Sequence, residues 1–162
     1  MDLTIGLLDT LSLTAAIFSF INVSSIGGKL ALPQGGWYHA SKFALEENSD
    51  ALRNEVRPFG IDVVVIRPGG VKSEWSAIAA ESAKRHSSRN AYSSLADKLS
   101  KALANQTGQP EPKVTTDLVV AALKAKRPKV RYSGGQMAKS LLFFKWCLPD
   151  RLFDWLIMSA LK

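Results

Sequence analysis

A single cysteine, Cys147, occurs in the 162 residues, so no internal disulfide can form and a disulfide-stapled scaffold is excluded. That usage suits a reducing, cytoplasmic setting. Histidine is almost as scarce: His39 and His86 stand far apart, no His/Cys/Asp cluster has ligand spacing, and no metal site is expected. The pattern G-x-S-x-G is missing, which removes the serine-hydrolase elbow. Glycines are present, but none forms G-x-x-x-G-x-G opening a helix. Gly27-Gly28 and Gly35-Gly36 flank one loop and Gly69-Gly70 follow a later strand, so the chain supplies no glycine-rich helix N-terminus of the kind that holds a pyrophosphate. Internal repeats and low-complexity segments are lacking too.

No secretory signal stands out. Leu3 to Val23 is strongly apolar and nearly as long as the roughly 20 residues that span a bilayer, but it contains Asp9 and has no basic n-region. A central strand buried on both faces reads as the same kind of continuous apolar run, and that is the expectation here. The net charge of +7 raises the question of nucleic acid. Basic residues are scattered, however, and only Lys124 to Arg131 is dense, so a solvated helix end is expected and no nucleic-acid partner. At 46% hydrophobic residues the chain can bury a sizeable core.

Period and punctuation give a succession of elements. Ala16 to Val23 reads as a strand, Ser24 to Gly36 as a loop, and Trp37 to Arg57 as a helix with apolar Phe43, Ala44, Leu45, Ala51, Leu52 and Val56, stopped by Pro58 and Gly60. Ile61 to Ile66 is a β-branched strand ending in the Pro68-Gly69-Gly70 turn. Glu74 to Ala104 is expected to be helical in pieces, broken near Ser87-Ser88, and Gln106 to Pro112 a linker. A helix then runs from Thr115 to Lys126, a short strand from Val130 to Tyr132, and two apolar helices from Met137 to Cys147 and from Pro149 to Leu161.

Chemistry concentrates at one place. Tyr38 and Lys42 are four residues apart on the expected helix, so their side chains project from one face. A phenol titrates near 10 in isolation, and a nearby cation favours its ionised form; Tyr38 is therefore a candidate general acid or base. Ser25 precedes the tyrosine by thirteen residues and ends the apolar strand, where its hydroxyl can hold a carbonyl or alcohol oxygen. Taken alone, a tyrosine and a lysine at helical spacing would be read as sharing a solvated face.

The wider pattern changes that reading. Asn22-Val23-Ser24-Ser25, then Tyr38-His39-Ala40-Ser41-Lys42, then Pro68-Gly69-Gly70-Val71-Lys72-Ser73 strongly resembles the short-chain dehydrogenase/reductase family from about Asn22 to Trp75. A weaker likeness to retinol and hydroxysteroid dehydrogenases runs through Arg127 to Tyr132 and Leu148 to Asp154. The resemblance implies an α/β fold: a Rossmann-like doubly wound parallel sheet, here N-terminally truncated, with a helical C-terminal extension. Residues 1–162 are then a single partial catalytic domain, 22–75 being the catalytic and nicotinamide-side core and 137–162 the C-terminal helices.

It also implies an NAD(P)-dependent oxidoreductase that interconverts an alcohol and a carbonyl on a small lipophilic molecule. Tyr38 would transfer the proton, Lys42 assist it and hold the nicotinamide ribose, and Ser25 orient the substrate oxygen. Pro68, Gly69 and Val71 would meet the nicotinamide, and Ser73, where the family usually has threonine, its amide or pyrophosphate. Without the glycine-rich turn, weak or absent binding of NADP or NAD is expected of the chain itself. A non-catalytic remnant acting through a partner subunit is the alternative.

Three further features remain open at this level. His39 reads as an ordinary variable position on the active-site helix. Trp75 is as readily a core tryptophan as a wall of the substrate site. The aromatic C-terminal helices, with Lys145 and Arg151, are balanced between packing on the sheet and peripheral membrane contact, and an open sheet edge is compatible with a homo-oligomer.

Overall fold

Four consecutive buried residues, Val63, Val64, Val65 and Ile66, make Asp62–Pro68 the central strand, β2, of a three-stranded parallel sheet. The computed structural model describes residues 19–87, 91–105 and 107–161. Strand β1 (Ser19–Val23) pairs with β2 from Ser19↔Asp62 to Val23↔Ile66, and β3 (Arg131–Gly134) pairs on the other side from Val65↔Arg131 to Pro68↔Gly134. The expected strand residues 16–18 lie outside the described residues.

A β-strand sends alternate side chains to opposite faces, and both faces here are covered by helices. Helix α1 (Gly36–Val56) covers one: Val56 and Leu52 pack with Phe20, Ile61 and Val63. Later in the chain come α2 (Glu74–Ser87), α3 (Ser93–Ala104) and α4 (Lys113–Lys124). The opposite face is covered by α4, through Ala122, Leu118 and Val119 on Val64, Ile66, Ile21 and Tyr132. This two-sided cover explains why β2 is a continuous apolar run instead of an alternating one. Burying each of its Val and Ile side chains contributes about 1.5–3 kcal/mol.

Most boundaries fall within two residues of the sequence expectation. Helix α1 ends where a 3-10 turn, Arg57–Phe59, takes Pro58 into its start, and Gly60 at φ 71° reverses the chain in the left-handed region that favours glycine. The expected break near Ser87-Ser88 separates α2 from α3, which pack on each other; residues 88–90 and 106 are outside the description. The C-terminal extension forms α5 (Ala138–Cys147) and α6 (Asp150–Ala160). Their inner face is core: Phe153 and Ile157 bury Leu30 with Ile26, Leu32, Leu141, Leu148 and Leu156. The extension therefore braces the loop that follows β1. Phe143, Trp146 and Trp155 on the same helices remain exposed.

One polar contact ties α1 to the sheet. Glu46 is completely buried, its carboxylate accepting from Arg67 Nε at 2.7 Å and Nη2 at 2.5 Å and from Arg131 Nε at 3.1 Å. One turn on, Asp50 accepts twice from Arg131 Nη2 at 2.6 Å and pairs with Arg53. Arg131 stands opposite Val65, and Arg67 lies two residues further along β2, so both guanidiniums leave the same face of the sheet. Burial alone would raise the Glu46 carboxyl; the two guanidiniums overcome it and hold the group below its ordinary value.

The sign of the pH dependence follows. A carboxyl depressed in the folded state contributes stability above the unfolded glutamate value of about 4.3, and that contribution is lost as pH falls through the folded value. Replacing Glu46 with Gln should lower unfolding stability at pH 7 by about 3 kcal/mol, because Arg67 loses its carboxylate and Arg131 keeps only Asp50. It should also flatten the acid side of the stability curve. Urea unfolding between pH 3 and 7 measures both, and a variant as stable and as acid-labile as the parent would contradict the assignment.

Candidate active site

The three residues singled out by spacing come from two neighbouring pieces of backbone, the turn after β1 and the start of α1, beside the carboxyl ends of β1 and β2, where an open parallel sheet places its ligands. Ser25 follows β1 directly and starts the 3-10 turn Ile26–Gly28; its hydroxyl accepts from Gly27 N at 3.1 Å and donates to Pro68 O at a long 3.4 Å. That second bond joins the β1 turn to the end of β2. Tyr38 and Lys42 sit on the first two turns of α1. The Lys42 ammonium lies 6.0 Å from the centroid of the Tyr38 ring and donates to Val23 O at 3.2 Å. Lysine and serine are thus anchored two residues apart on the same strand end.

Close approach of backbone makes this possible. A Cβ on Gly27 would stand 3.1 Å from Tyr38 Cε1 and 3.0 Å from His39 Nδ1, and one on Gly28 would lie 2.9 Å from Lys42 O and 2.8 Å from Ser24 Oγ. Only glycine lets the turn lie on the helix at that distance. Ser24 Oγ donates to Lys42 O at 3.4 Å, and Asn22 Nδ2 donates to Ser49 Oγ at 2.9 Å, so Asn22 and Ser24 both have partners on α1.

The second turn is stitched to β3. Gly69 N donates to Gly134 O at 2.7 Å, and Gly70 and Gln136 exchange backbone hydrogen bonds of 3.1 and 2.8 Å. Gly135, at φ 93°, needs glycine for that return. Val71 is half-buried against this hairpin-like crossing, and Ser73 is exposed just before α2. Two residues beyond Ser73, Trp75 lays its ring on Tyr38, with centroids 4.8 Å apart and planes tilted by 40°. Trp75 is 45% exposed, so it is not a core tryptophan. It brings the start of α2 over the phenol and closes one side of the site with an apolar wall.

His39, read from sequence as an ordinary variable position on the active-site helix, is buried, and both ring nitrogens have backbone partners: Gly27 O at 2.9 Å from Nδ1 and Leu32 N at 2.9 Å from Nε2. The signal that could have revealed it is the pair Gly27 and Gly35, since a Cβ on Gly35 would lie 2.8 Å from Nε2. Among the described residues no group of three or more His, Cys, Asp or Glu side chains is placed to hold a metal.

The comparisons with known proteins bear on the same residues. A family model described as short chain dehydrogenase matches residues 14–85, a stretch that contains Ser25, Tyr38, Lys42 and the Pro68 turn. A probable short-chain type dehydrogenase/reductase of Helicobacter pylori is 37% identical over 133 residues, covering 82% of this chain and 49% of the relative. The chain belongs to the short-chain dehydrogenase/reductase family. Another relative, 17-beta-hydroxysteroid dehydrogenase type 6 of Rattus norvegicus, is 32% identical over 148 residues, covering 85% of this chain and 46% of the relative. The crystal structure of a short-chain dehydrogenase from Streptomyces avermitilis superposes with a TM-score of 0.62 at 25% identity, covering 87% of this chain and 51% of that one.

This short-chain dehydrogenase/reductase chain spans about half the length of the curated relatives it matches. Within it Gly28 is tightly enclosed on two sides. Gly28→Ala should destabilise the fold by about 1–3 kcal/mol, since the added methyl meets backbone on one side and the Glu46 side chain, 2.9 Å away, on the other. Thermal unfolding of the two proteins under identical conditions measures the difference; an unchanged midpoint would contradict the close approach of turn and helix.

Proposed function

We propose that the chain carries the catalytic part of an NAD(P)-dependent oxidoreductase that interconverts an alcohol and a carbonyl on a lipophilic substrate. The observation that carries this reading is the juxtaposition of the Tyr38 phenol and the Lys42 ammonium on one helix face against the Ser25 turn. Residues 1–162 are read as one Rossmann-like catalytic domain, with 22–75 the catalytic and nicotinamide-side core and 137–162 its C-terminal helices. Nicotinamide, when bound, gives or accepts the hydride.

The protein's own residues do the rest. In the reducing direction Tyr38 gives its proton to the oxygen that becomes the alcohol, and in the oxidising direction its phenolate takes that proton back. Lys42 supplies positive charge beside the phenol and a donor for ribose, and Ser25 holds the substrate oxygen through its hydroxyl. Hydrogen-bonding groups at Lys42 and Ser73, with the backbone of Pro68, Gly69 and Val71, suit the amide and ribose at the nicotinamide end. A Burkholderia cenocepacia dehydrogenase of the same fold, with a TM-score of 0.56 and 22% identity, has been crystallised with NADP, which supports NADP or NAD as cofactor. The aromatic wall of Trp75 and the hydroxysteroid dehydrogenase named above support a lipophilic substrate.

The exposed Phe143, Trp146 and Trp155 support peripheral contact with a membrane surface, and exposed Trp37 and Phe43 on α1 support contact with a second copy. No helix among the described residues is long and apolar enough to cross a membrane. The lone, exposed Cys147 supports a cytoplasmic location.

Turnover tests the assignment. With the protein expressed from its full reading frame and assayed with NADPH on a panel of aldehydes and ketones, Tyr38→Phe should lower kcat by ~100-fold or more, the loss expected for a positioned proton donor. Near-normal turnover by that variant would overturn the role of Tyr38.

Cofactor affinity should divide differently. Most of it is expected from pyrophosphate held at a glycine-rich helix N-terminus, and the contacts proposed here reach only the nicotinamide end. Calorimetric titration of the 162-residue chain with NADH or NADPH should therefore give binding no tighter than roughly millimolar, about 4 kcal/mol. Micromolar binding would mean that this chain does hold the pyrophosphate end.

A further inference from the structure

His39 is a buried ionisable side chain beside the site that the proposed proton transfer does not use, and its surroundings fix its chemical form. Leu32 N–H can only donate, so Nε2, 2.9 Å away, must accept and carries no proton. The neutral ring then has its proton on Nδ1, which donates to Gly27 O at 2.9 Å. Gly27 N–H in turn donates to Ser25 Oγ at 3.1 Å, and Ser25 Oγ donates to Pro68 O. An unbroken series of contacts thus runs from the loop at Leu32, through the imidazole and the Gly27 turn, to the serine hydroxyl.

The packing agrees with a seat built for the ring. Added Cβ atoms on Gly27 and Gly35 would lie 3.0 and 2.8 Å from its two nitrogens, so glycine on both flanks leaves room for an imidazole and for little else. Tyr38, the preceding residue, meets the ring edge-on at 5.3 Å between centroids. The same loop carries Leu30 and Leu32 into the core formed with Phe153 and Ile157 of α6.

We propose that His39 is a positioning residue: as the neutral Nδ1–H tautomer it clamps the Ser25 turn to the start of α1 and so sets where the Ser25 hydroxyl stands relative to Tyr38. The inference rests on the oxidoreductase reading for its catalytic consequence, but not for the clamp. A ring that served packing alone would have no required tautomer and would be replaceable by any side chain of similar volume.

Two side-chain amides separate the bonds. In His39→Asn the amide nitrogen takes the place of Nδ1 and keeps the bond to Gly27 O; in His39→Gln the amide oxygen reaches the place of Nε2 and keeps only the bond to Leu32 N. If the clamp acts through the turn, His39→Gln should lower kcat roughly 10-fold or more, as expected for a misplaced catalytic group, with little change in the KM for NADPH. His39→Asn should retain most of the activity. Equal losses in the two variants, or the reverse order, would overturn the proposal.

The clamp is also read without turnover. Two-bond nitrogen–proton NMR on the 162-residue chain should report a protonated Nδ1 and a bare Nε2 for His39. The chain has two histidines, and the signal that disappears in His39→Asn identifies it. The Nε2–H tautomer, or averaging between the two forms, would overturn the clamp. Wild-type protein that turns over no carbonyl yet shows the Nδ1–H tautomer would count against the oxidoreductase reading and in favour of the clamp.

Discussion

The placement of the whole site depends on one buried carboxylate. Glu46 has no access to solvent and sits between Arg67 of the central strand and Arg131 of the edge strand. A carboxylate in that position is tolerable only because three N–H donors satisfy it. It cannot slide along the helix or turn away without leaving charges uncompensated. Since Lys42 is one turn before Glu46 on α1, and Pro68 is the residue after Arg67 on β2, the same ion pair fixes the helix face that carries the proposed proton donor against the strand end that carries the proposed cofactor turn. Apolar packing of Val56 and Leu52 brings α1 to the sheet; the charged cluster selects its register.

Around that fixed point the remaining parts approach at distances that only small residues allow. Gly27 and Gly28 let the Ser25 turn lie directly on α1, and Gly69 brings the β2 turn against Gln136 O, 2.6 Å from where its Cβ would be. Each close approach replaces a side-chain contact with a backbone one, which holds position more stiffly because fewer torsions separate the chain from the functional atom. The C-terminal helices act from outside in the same sense: α6 buries Phe153 and Ile157 on Leu30, so the loop between Ser25 and Tyr38 is held at both ends and in the middle.

Several parts of this arrangement were legible without coordinates. A β-branched run such as Val63-Val64-Val65-Ile66 between Gly60 and Pro68 reads as a strand, although its cover on both faces comes only from the fold, and the four-residue interval from Tyr38 to Lys42 puts phenol and ammonium on one helix face whatever the fold. Less legible was Glu46, which in sequence is one of two adjacent glutamates on an amphipathic helix. Glu47 is exposed and pairs with Lys29, and nothing local tells the two apart. Trp75 was balanced between core and site until its ring was found on Tyr38.

Local chemistry therefore determined the elements and the spacing of the candidate site residues, because period, turn residues and spacing act over a few residues. The tertiary structure alone decided which polar side chains are buried and what they hold. Arg131 meets Glu46 across 85 positions and Ser25 meets Pro68 across 43, and such pairings depend on strand register and helix placement that no short window of sequence contains. His39 illustrates the division most sharply: adjacent to Tyr38 in sequence, it draws its significance from Gly27 and Leu32, two backbone groups that only the folded loop brings to its two nitrogens.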